Sequence, residues 1–203
     1  VAKKQDLEQL LNTLSEEVPM SELDSRLVDL GFELQLLSFK PVLYVGNIVD
    51  PEDTDNAHLK QLQAFSENQM RPCLAVCAKI ESELVGLDGE EKTQFLADLG
   101  MEEPGLHAVI RTSYSLLDLQ TFFTAGPKEV RAWTIRTGAT APQAAGVIHS
   151  DFEKHFIRAE VINFDDYKQA GSESIAKENG LWRLEGKDYI VNDGDVIYFR
   201  TSA

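Results

Sequence analysis

The segment Thr121–Phe152 reads TFFTAGPKEVRAWTIRTGATAPQAAGVIHSDF and carries the strongest structural signal in the chain. Residues 121–124 and 129–135 are rich in β-branched and aromatic side chains, which favour strands. Between them lies the turn-forming sequence Ala-Gly-Pro-Lys at 125–128. This pattern predicts a β-hairpin.

The residues that follow the hairpin predict a helix and further strands. The turn 138–141 leads into Pro142, which suits the first turn of a helix that we expect to run to about Phe156. Three further strands are predicted, and the tight-turn sequence Asn192-Asp193-Gly194-Asp195 is expected to join the last two: Ile157–Asn163, Asp188–Val191 and Val196–Arg200. Strands around a single helix are typical of a β-grasp arrangement, which is an α+β fold.

The segment before this region has the pattern of an α/β sheet. The short apolar runs 41–46 and 72–78 have the composition of strands buried on both faces, and a helix is predicted between them, from Asn56 to Met70. The order strand, helix, strand predicts a crossover with parallel strands. Two more helical regions follow, 81–99 with a break at 87–89 and 103–117.

Residues 1–40 show the leucine spacing of two amphipathic helices. A stripe of leucines in the second helix, through Leu37, is compatible with a coiled-coil seam, although ordinary core packing is favoured over so few turns. Because the chain begins at Val1 inside a helical pattern, we expect it to be part of a longer protein.

Net charge restricts the possible partners. The chain has 203 residues and a net charge of −15; residues 1–120 hold 9 basic and 22 acidic side chains, whereas residues 121–203 hold 10 and 12. Indiscriminate nucleic-acid binding depends on neutralising phosphates, so this acidity argues against it. Any RNA contact should be local and in the C-terminal part. The acidic helices of 81–120 are best explained as solvated faces, with a protein-interaction surface as the alternative.

The cysteines and the apolar segments indicate a compartment. Cys73 and Cys77 do not suggest a disulfide framework in a chain of this size, and the histidines are not spaced with them for zinc. No apolar run has the length of a membrane span, and no signal peptide opens the sequence. We expect a cytoplasmic protein, a monomer with no membrane partner.

Polar residues follow both predicted parallel strands. Asn47 and Asp50 come after the first strand, and Cys77 to Lys79 end the second. Ligands bind beyond the carboxyl ends of strands in open α/β sheets, and an amide with a nearby carboxylate can read the edge of a base. From the residues alone, Asn47 and Asp50 are more readily explained as turn formers. Cys77 is more readily explained as a small buried hydrophobe than as a nucleophile.

Two segments, Gly126–Phe152 and Gly186–Phe199 (GKDYIVNDGDVIYF), resemble the Obg-like ATPases, the YchF family of P-loop NTPases. The resemblance implies an α/β plus α+β fold: a partial, Rossmann-like P-loop NTPase domain with a coiled-coil remnant, followed by a TGS domain, which is a ubiquitin-like β-grasp. The implied domains are residues 1–40 (helical, coiled-coil remnant), 41–120 (C-terminal part of the nucleotide domain) and 121–203 (TGS).

The same resemblance implies a nucleotide-base site. Asn47, Ile48 and Asp50 match the family's Asn-x-x-Glu base-recognition motif, with Asp50 in place of the usual Glu and Ile48 where related GTPases have lysine. Cys77, Ala78 and Lys79 resemble the loop that contacts the base through main-chain amides, with Cys77 at a position that is often serine. ATP is the expected ligand, GTP is possible, and Mg²⁺ belongs to the parent protein and not to residues of this chain.

Phosphate chemistry is not expected from this chain alone. The 203 residues contain no G-x-x-x-x-G-K-[S/T] loop, and the family's Asp-x-x-Gly metal segment is also missing. Phosphoryl transfer depends on a phosphate cradle and a metal ion. We therefore assign no catalytic residue and no metal ligand, and expect the isolated chain not to hydrolyse ATP.

The resemblance also implies a ribosome-associated protein with a role in translation and stress responses, and the large subunit is the expected partner. Basic residues of the C-terminal part are the candidate contacts with RNA or a ribosomal surface: Lys128, Arg131, Arg136, Lys154, Arg158 and Lys168. Lys154 and Arg158 are expected on one helical face. The aromatic residues of the region are expected in the core more than in base stacking. The alternative function is a stand-alone RNA- or ribosome-binding module without nucleotide hydrolysis.

Overall fold

The computed structural model describes residues 2–16, 18, 22–50, 55–126 and 129–202. It is a mixed α/β structure that divides into two compact units, Val1–Leu116 and Leu117–Ala203. No helix in the described ranges has the length and apolar character needed to cross a membrane.

The first unit contains six α-helices and two strands among its described residues. In chain order they are α1 (Ala2–Ser15), α2 (Ser25–Glu33), β1 (Tyr44–Asn47), α3 (Ala57–Asn68), β2 (Cys73–Val76), α4 (Ala78–Leu84), α5 (Gly89–Asp98) and α6 (Gly105–Leu116), with a short 3₁₀ turn at Leu37–Phe39.

Helices α1 and α2 pack through one small apolar cluster. Leu10 of α1 and Leu27 and Leu30 of α2 are buried together with Phe39. The expected continuation of the second helix through Leu37 is wrong, because the helix ends at Glu33 and Leu37 is 79% exposed. The chain turns there so that Phe39, instead of a longer leucine stripe, closes the cluster.

Strands β1 and β2 are parallel, with Tyr44 opposite Cys73 and Asn47 opposite Val76. The expectation that both strands are buried on both faces is wrong, since Val45 remains 47% exposed. Helix α3 covers the face of β1 that carries Gly46, where a Cβ would stand 3.0 Å from Leu59 Cδ1. Helix α6 lies on the other face but approaches β2, so Val45 is left half covered.

The acidic helical region has the break that its sequence predicts. Helix α4 ends at Leu84, and α5 begins after Asp88, whose carboxylate accepts hydrogen bonds from the N–H groups of Glu90 and Glu91. The start of α6 is held by Glu81 of α4, whose Oε1 accepts a hydrogen bond of 2.6 Å from the Gly105 N–H. This bond ties the polar starts of α4 and α6 together.

Among its described residues, the second unit contains a five-stranded sheet with four helices. In chain order the elements are β3 (Leu119–Ala125), β4 (Val130–Arg136), α7 (Ala141–Ile148), α8 (Ser150–Lys154), β5 (Phe156–Asn163), α9 (Phe164–Ala170), α10 (Glu173–Glu178), β6 (Arg183–Glu185) and β7 (Asp195–Thr201). The strand order is β4-β3-β7-β5-β6, with β3 and β7 parallel and the other pairs antiparallel.

The sheet has a core on each face. On one face α7 packs its alanines against Phe122, Ile135, Val161 and Ile197. On the other face α9 and α10 cover Ile162 and Val196, and Ala176 of α10 is buried in the same cluster. The aromatic residues Phe122, Phe123, Trp133, Phe152 and Phe156 all belong to or pack against these two cores, which confirms their expected structural role.

The predicted β3–β4 hairpin is confirmed, with a register that runs unbroken from Leu119↔Arg136 to Ala125↔Val130. The predicted single helix from Pro142 to Phe156 is wrong. His149 interrupts it with φ −158°, and its Nδ1 accepts the hydrogen bond that caps α8. The second segment then ends at Lys154.

The predicted strand Asp188–Val191 is also wrong. Only an isolated bridge, Thr140↔Ile190, forms there, and the missing strand is the short polar β6, Arg183–Glu185. The Asn192–Asp195 turn therefore leads into β7 without joining two neighbouring strands. Helices α9 and α10 were not predicted, so the sheet has more than the single helix expected.

The side chain of Asp195 holds the irregular segment before β7 in place. Its side chain is 1% exposed, and Oδ2 accepts hydrogen bonds from the Tyr189 hydroxyl at 2.7 Å and from the Asn192 N–H at 2.9 Å. Arg183 of β6 donates to the Tyr189 hydroxyl at 3.3 Å. Burial raises the pKa of the Tyr189 phenol, and the contact with Asp195 raises it further. One carboxylate thus fixes residues 189–195 against the sheet.

Asp195→Ala should lower the free energy of unfolding by about 2–3 kcal/mol, because the Tyr189 hydroxyl and the Asn192 N–H lose a charged acceptor in a buried position. Urea titration followed by circular dichroism measures the loss. The matched control is Asp188→Ala, an exposed aspartate of the same segment, which should change stability by less than about 0.5 kcal/mol. Equal effects of the two substitutions would refute a special role for Asp195.

Candidate nucleotide-base site and basic surfaces

The first candidate site lies where β1 and β2 end. Parallel pairing brings the two carboxyl ends to one edge, and the Ile48 N–H donates to the Val76 carbonyl at 2.9 Å just beyond the strands. The side chain of Asn47 then bridges the two loops, since its Oδ1 accepts a hydrogen bond of 3.2 Å from the Ala78 N–H. Two residues that are 31 positions apart in sequence are thereby joined.

A second contact ties the same loops together. The Cys77 Sγ lies 3.4 Å from the Val49 carbonyl oxygen, a distance suited to a thiol hydrogen bond. Cys77 is buried in a cluster with Ile80, Leu84 and Leu96. It is therefore a small buried hydrophobe with a weak donor, as the sequence indicates.

The remaining predicted residues of this site differ in their surroundings. Ile48 packs against the Cys77 cluster, which anchors the loop. Asp50, Ala78 and Lys79 are exposed at the same end of the sheet. The structure thus brings Asn47 and Ala78 into contact and places Asp50 and Lys79 nearby on the surface. The loop residues 51–54, which follow Asp50, lie outside the described residues.

A cleft of about 200 Å³ adjoins Asn47. Residues 46–48 form one wall, and Asn56, His58 and Leu59 at the start of α3 form the other. Asn56 and His58 were not singled out in the sequence. The available signal was the position of Asn56 before a helix: its Oδ1 accepts hydrogen bonds from the N–H groups of His58 and Leu59.

The chemistry of Asn47 suits one edge of a purine. Its Oδ1 is engaged by Ala78, which fixes the amide and leaves the two N–H donors of Nδ2 for a ligand. Adenine and guanine both present N7 as an acceptor, so such a donor reads a purine without distinguishing between the two. A carboxylate accepts from base N–H groups, and that is the chemistry Asp50 would add.

The described residues at this end of the sheet do not form a cluster of metal-ligating side chains. Among the described residues, no group of three or more His, Cys, Asp or Glu side chains is placed to hold a metal ion.

The basic candidates of the second unit do not form one surface. On β4, Arg131 lies on the same face as Trp133 and Ile135, which face α7, and its guanidinium lies 4.0 Å from the Trp133 ring centroid. On β5, Ala159 faces α7, so Arg158 points to the opposite face, where it stands across from Arg200. The sheet separates Arg131 from Arg158.

Three other basic candidates are also separated. The expectation that Lys154 and Arg158 share a helical face is wrong, because Lys154 ends α8 while Arg158 lies in β5. Lys168 is in the last turn of α9, and Arg136 ends β4 beside the start of α7. Lys128 lies outside the described residues.

Comparisons with known proteins agree with both units. Residues 119–202 match the family model YchF-GTPase_C, described as "Protein of unknown function (DUF933)". The chain is 57% identical over 164 residues to the ribosome-binding ATPase YchF of Haemophilus influenzae, covering 81% of this chain and 45% of that protein. Over 169 residues it is 41% identical to rat Obg-like ATPase 1, covering 81% of this chain and 42% of that protein.

A solved structure is also similar to this chain. The Schizosaccharomyces pombe YchF GTPase matches with a TM-score of 0.79 and 30% identity, covering 98% of this chain and 54% of that one. The protein is thus of the Obg-like NTPase class, and the chain belongs to the YchF family. It spans about half the length of the relatives it matches.

Asn47→Ala should leave the Ala78 N–H without its acceptor, and we expect a loss of about 1 kcal/mol in the local stability of the two loops. Amide hydrogen exchange followed by NMR should then show faster exchange at Ala78, by about five- to tenfold. Asn12→Ala, at an exposed position on α1, is the control and should leave that amide unchanged. Unaltered Ala78 exchange in Asn47→Ala would show that the bridge contributes nothing.

Proposed function

We propose that this chain is the base-recognition and ribosome-facing part of a YchF-type ATPase. In this proposal residues 1–40 are a coiled-coil remnant, 41–120 complete a P-loop nucleotide domain, and 121–203 are a TGS domain of β-grasp form. The strand order β4-β3-β7-β5-β6, with a helix crossing between the β4 and β5 strands, supports the β-grasp assignment. Relatives named as ribosome-binding ATPases support the activity and a cytoplasmic location.

The observation that carries the nucleotide proposal is the hydrogen bond between Asn47 Oδ1 and the Ala78 N–H. It orients one amide at the carboxyl end of a parallel sheet, where ligands bind in α/β folds. Ala78 begins α4, so the main-chain amides of residues 77–79 lie beside Asn47. Asn47, Ile48 and Asp50 would then line the base from one loop, and Cys77, Ala78 and Lys79 from the other.

ATP is the proposed ligand and GTP the alternative. The names of the relatives themselves include both an ATPase and a GTPase. With Ile48 packed into the Cys77 cluster, no lysine stem lies along the base plane at this position. Discrimination between adenine and guanine therefore depends on the acid at position 50, because the length of its side chain determines which N–H group of the base its carboxylate can contact. When bound, Mg²⁺ would neutralise phosphate charge, and in this proposal its protein ligands belong to the parent protein and not to this chain.

Asp50→Glu, made in the full-length protein that contains this chain, should raise the ratio of ATP affinity to GTP affinity, by about tenfold for one hydrogen bond gained or lost. Titration with fluorescent ATP and GTP analogues measures both affinities. Asp55→Glu is the matched control, since Asp55 is exposed and lies beyond residues 51–54 of the same loop. Unchanged affinities in Asp50→Glu would identify Asp50 as a loop acid only.

The second unit is proposed to face the ribosome, because its balanced charge lets basic side chains meet RNA phosphates locally. The chain should co-sediment with ribosomes at low salt. Replacing Arg131, Arg136, Lys154 and Arg158 by glutamate should weaken this at least tenfold. The control replaces Lys3, Lys4, Lys60 and Lys92 of the first unit, with the same change in net charge.

Failure of the unmodified chain to co-sediment at low salt would contradict the ribosome-facing role. If both fourfold variants lost ribosome binding equally, the loss would be explained by the change in net charge and not by the basic residues of the second unit. If the chain co-sediments with ribosomes but the full-length protein binds no nucleotide, the results would favour the alternative function. That alternative is a stand-alone ribosome- or RNA-binding module.

A further inference from the structure

The sheet face opposite α7 has a solvent-exposed patch on strands β5 and β7. Helices α9 and α10 cover one end of these two strands. Next to them, two cross-strand pairs lie on the same face, Glu160 opposite Tyr198 and Arg158 opposite Arg200. Tyr198 is 45% exposed, and both arginines are exposed. We call these four residues the β5–β7 patch.

A register shift in β5 brings the two arginines opposite each other. The shift lies between Phe156 and Arg158, so that β5 has one extra residue there, Ile157. A ladder continued from Phe156 without the shift would place Ile157 opposite Arg200. Such bulges re-aim side chains and are common next to functional sites. The irregularity therefore creates the arginine pair.

The opposed arginines repel each other, because like charges directly opposite in a sheet are destabilising. Arg200 is compensated, since its Nε donates a hydrogen bond of 2.9 Å to Glu160 Oε1. On the neighbouring helix α10, Lys177 is paired with Glu173 at 2.6 Å. Arg158 is exposed, and the ion pairs seen among the described residues do not include it. An anion between the two arginines would relieve their repulsion and neutralise Arg158.

Tyr198 makes the patch aromatic as well as basic. The Arg200 guanidinium lies 4.3 Å from the centroid of the Tyr198 ring. On the other side of Glu160, Leu184 of β6 lies on the same face and is 66% exposed. Proteins bind single-stranded nucleic acid without sequence preference when bases stack on aromatic rings and basic groups follow the backbone. An exposed ring beside two guanidinium groups provides both contacts.

We propose that the β5–β7 patch binds single-stranded RNA, with a base stacked on Tyr198 and the adjacent phosphate between Arg158 and Arg200. Guanidinium groups suit this phosphate, because they donate paired hydrogen bonds to its oxygens. The proposal rests on the proposed ribosome-facing role and specifies the face of the second unit, and the side chains on it, that meet RNA.

An acidic protein segment fits the patch less well. A carboxylate would also pair with Arg158, because guanidinium groups bind carboxylates and phosphates in the same geometry. A carboxylate alone does not use the exposed ring of Tyr198 next to the arginines. A nucleotide has a base and a phosphate, so it uses both parts of the patch.

The test uses the full 203-residue chain and a short, fluorescently labelled uridine oligoribonucleotide. Amide NMR shifts locate the binding surface, and fluorescence anisotropy measures affinity from about 20 to about 200 mM salt. Tyr198→Leu removes the ring, and Tyr198→Phe is its matched control because it keeps the ring. Arg158→Gln removes the charge. Its control is Lys40→Gln, at an exposed position of the first unit, with the same change in net charge.

The oligonucleotide should bind with a dissociation constant below about 1 mM at the lowest salt concentration. The largest amide shifts should lie at residues 158–160 and 198–200. Tyr198→Leu should weaken binding by about fivefold or more, as expected for one stacked base, whereas Tyr198→Phe should change it by less than about twofold.

The salt dependence separates the charge from the ring. Arg158→Gln should lower the slope of log affinity against log salt concentration by about 0.7, the value for one phosphate contact with a single strand. Lys40→Gln and Tyr198→Leu should leave this slope unchanged, because neither substitution removes a phosphate contact.

Several results would overturn the proposal. They are no binding at millimolar oligonucleotide, amide shifts centred on α7 or on the first unit, equal affinities of the two Tyr198 variants, or equal salt slopes of Arg158→Gln and Lys40→Gln. A glutamate-rich peptide that binds the same amides more tightly would assign the patch to an acidic protein segment. Inorganic phosphate that binds as tightly as the oligonucleotide would make the arginine pair a site for a free anion.

Two further measurements keep the outcomes distinct. Circular dichroism and thermal unfolding show whether each variant is folded, and Arg158→Gln should be at least as stable as the unmodified chain, because it removes the repulsion from Arg200. Ribosome co-sedimentation of the unmodified chain tests the ribosome-facing role separately. Co-sedimentation without oligonucleotide binding would overturn the RNA site alone, whereas oligonucleotide binding at the patch without co-sedimentation would support the RNA site and contradict the ribosome-facing role.

Discussion

The buried carboxylate of Asp195 is the constraint on which the second unit depends. It stands at the first residue of β7, the strand that lies between β3 and β5 in the sheet. By accepting from Tyr189 and Asn192 it fixes the segment that delivers the chain to this central position. Gly194, with φ +82°, completes the turn, and its N–H donates to Thr121 of β3. A neutral side chain at position 195 would satisfy fewer of these donors.

Sequence patterns predicted the strongly periodic elements and missed those held by tertiary contacts. The hairpin of β3 and β4 and the break between α4 and α5 follow from local turn chemistry. Strand β6 has the polar sequence Arg-Leu-Glu and gives no strand pattern, and it is a strand because β5 pairs with it. The apolar run ending at Val191 was read as a strand, but its backbone is held by Asp195 and by single contacts with residues 139–141.

The sequence could predict where the candidate base site lies, but not how its side chains are arranged. Two polar segments that follow two parallel strands must lie at one edge of the sheet, which brings the segments of Asn47 and Ala78 to the same end. That the Asn47 oxygen is turned towards Ala78, and not towards a ligand, depends on side-chain geometry which no spacing encodes. Sequence spacing likewise does not encode the contact between Cys77 and Val49 or the position of His58 in the wall of the cleft. The basic candidates do not share one surface, because strand alternation places Arg131 and Arg158 on two faces of the sheet.

The central place of β7 has a consequence for how the second unit forms. Its parallel partner β3 begins at residue 119, and the two strands meet at Phe123 and Val196, which are far apart in sequence. Until residues 195–201 are available, β3 and β5 have no strand between them, and neither core can close. Contacts of such long range slow folding, since a long loop must be ordered before they form. During synthesis this unit should therefore remain open until its last strand has left the ribosomal exit tunnel, and it should fold as a whole after that.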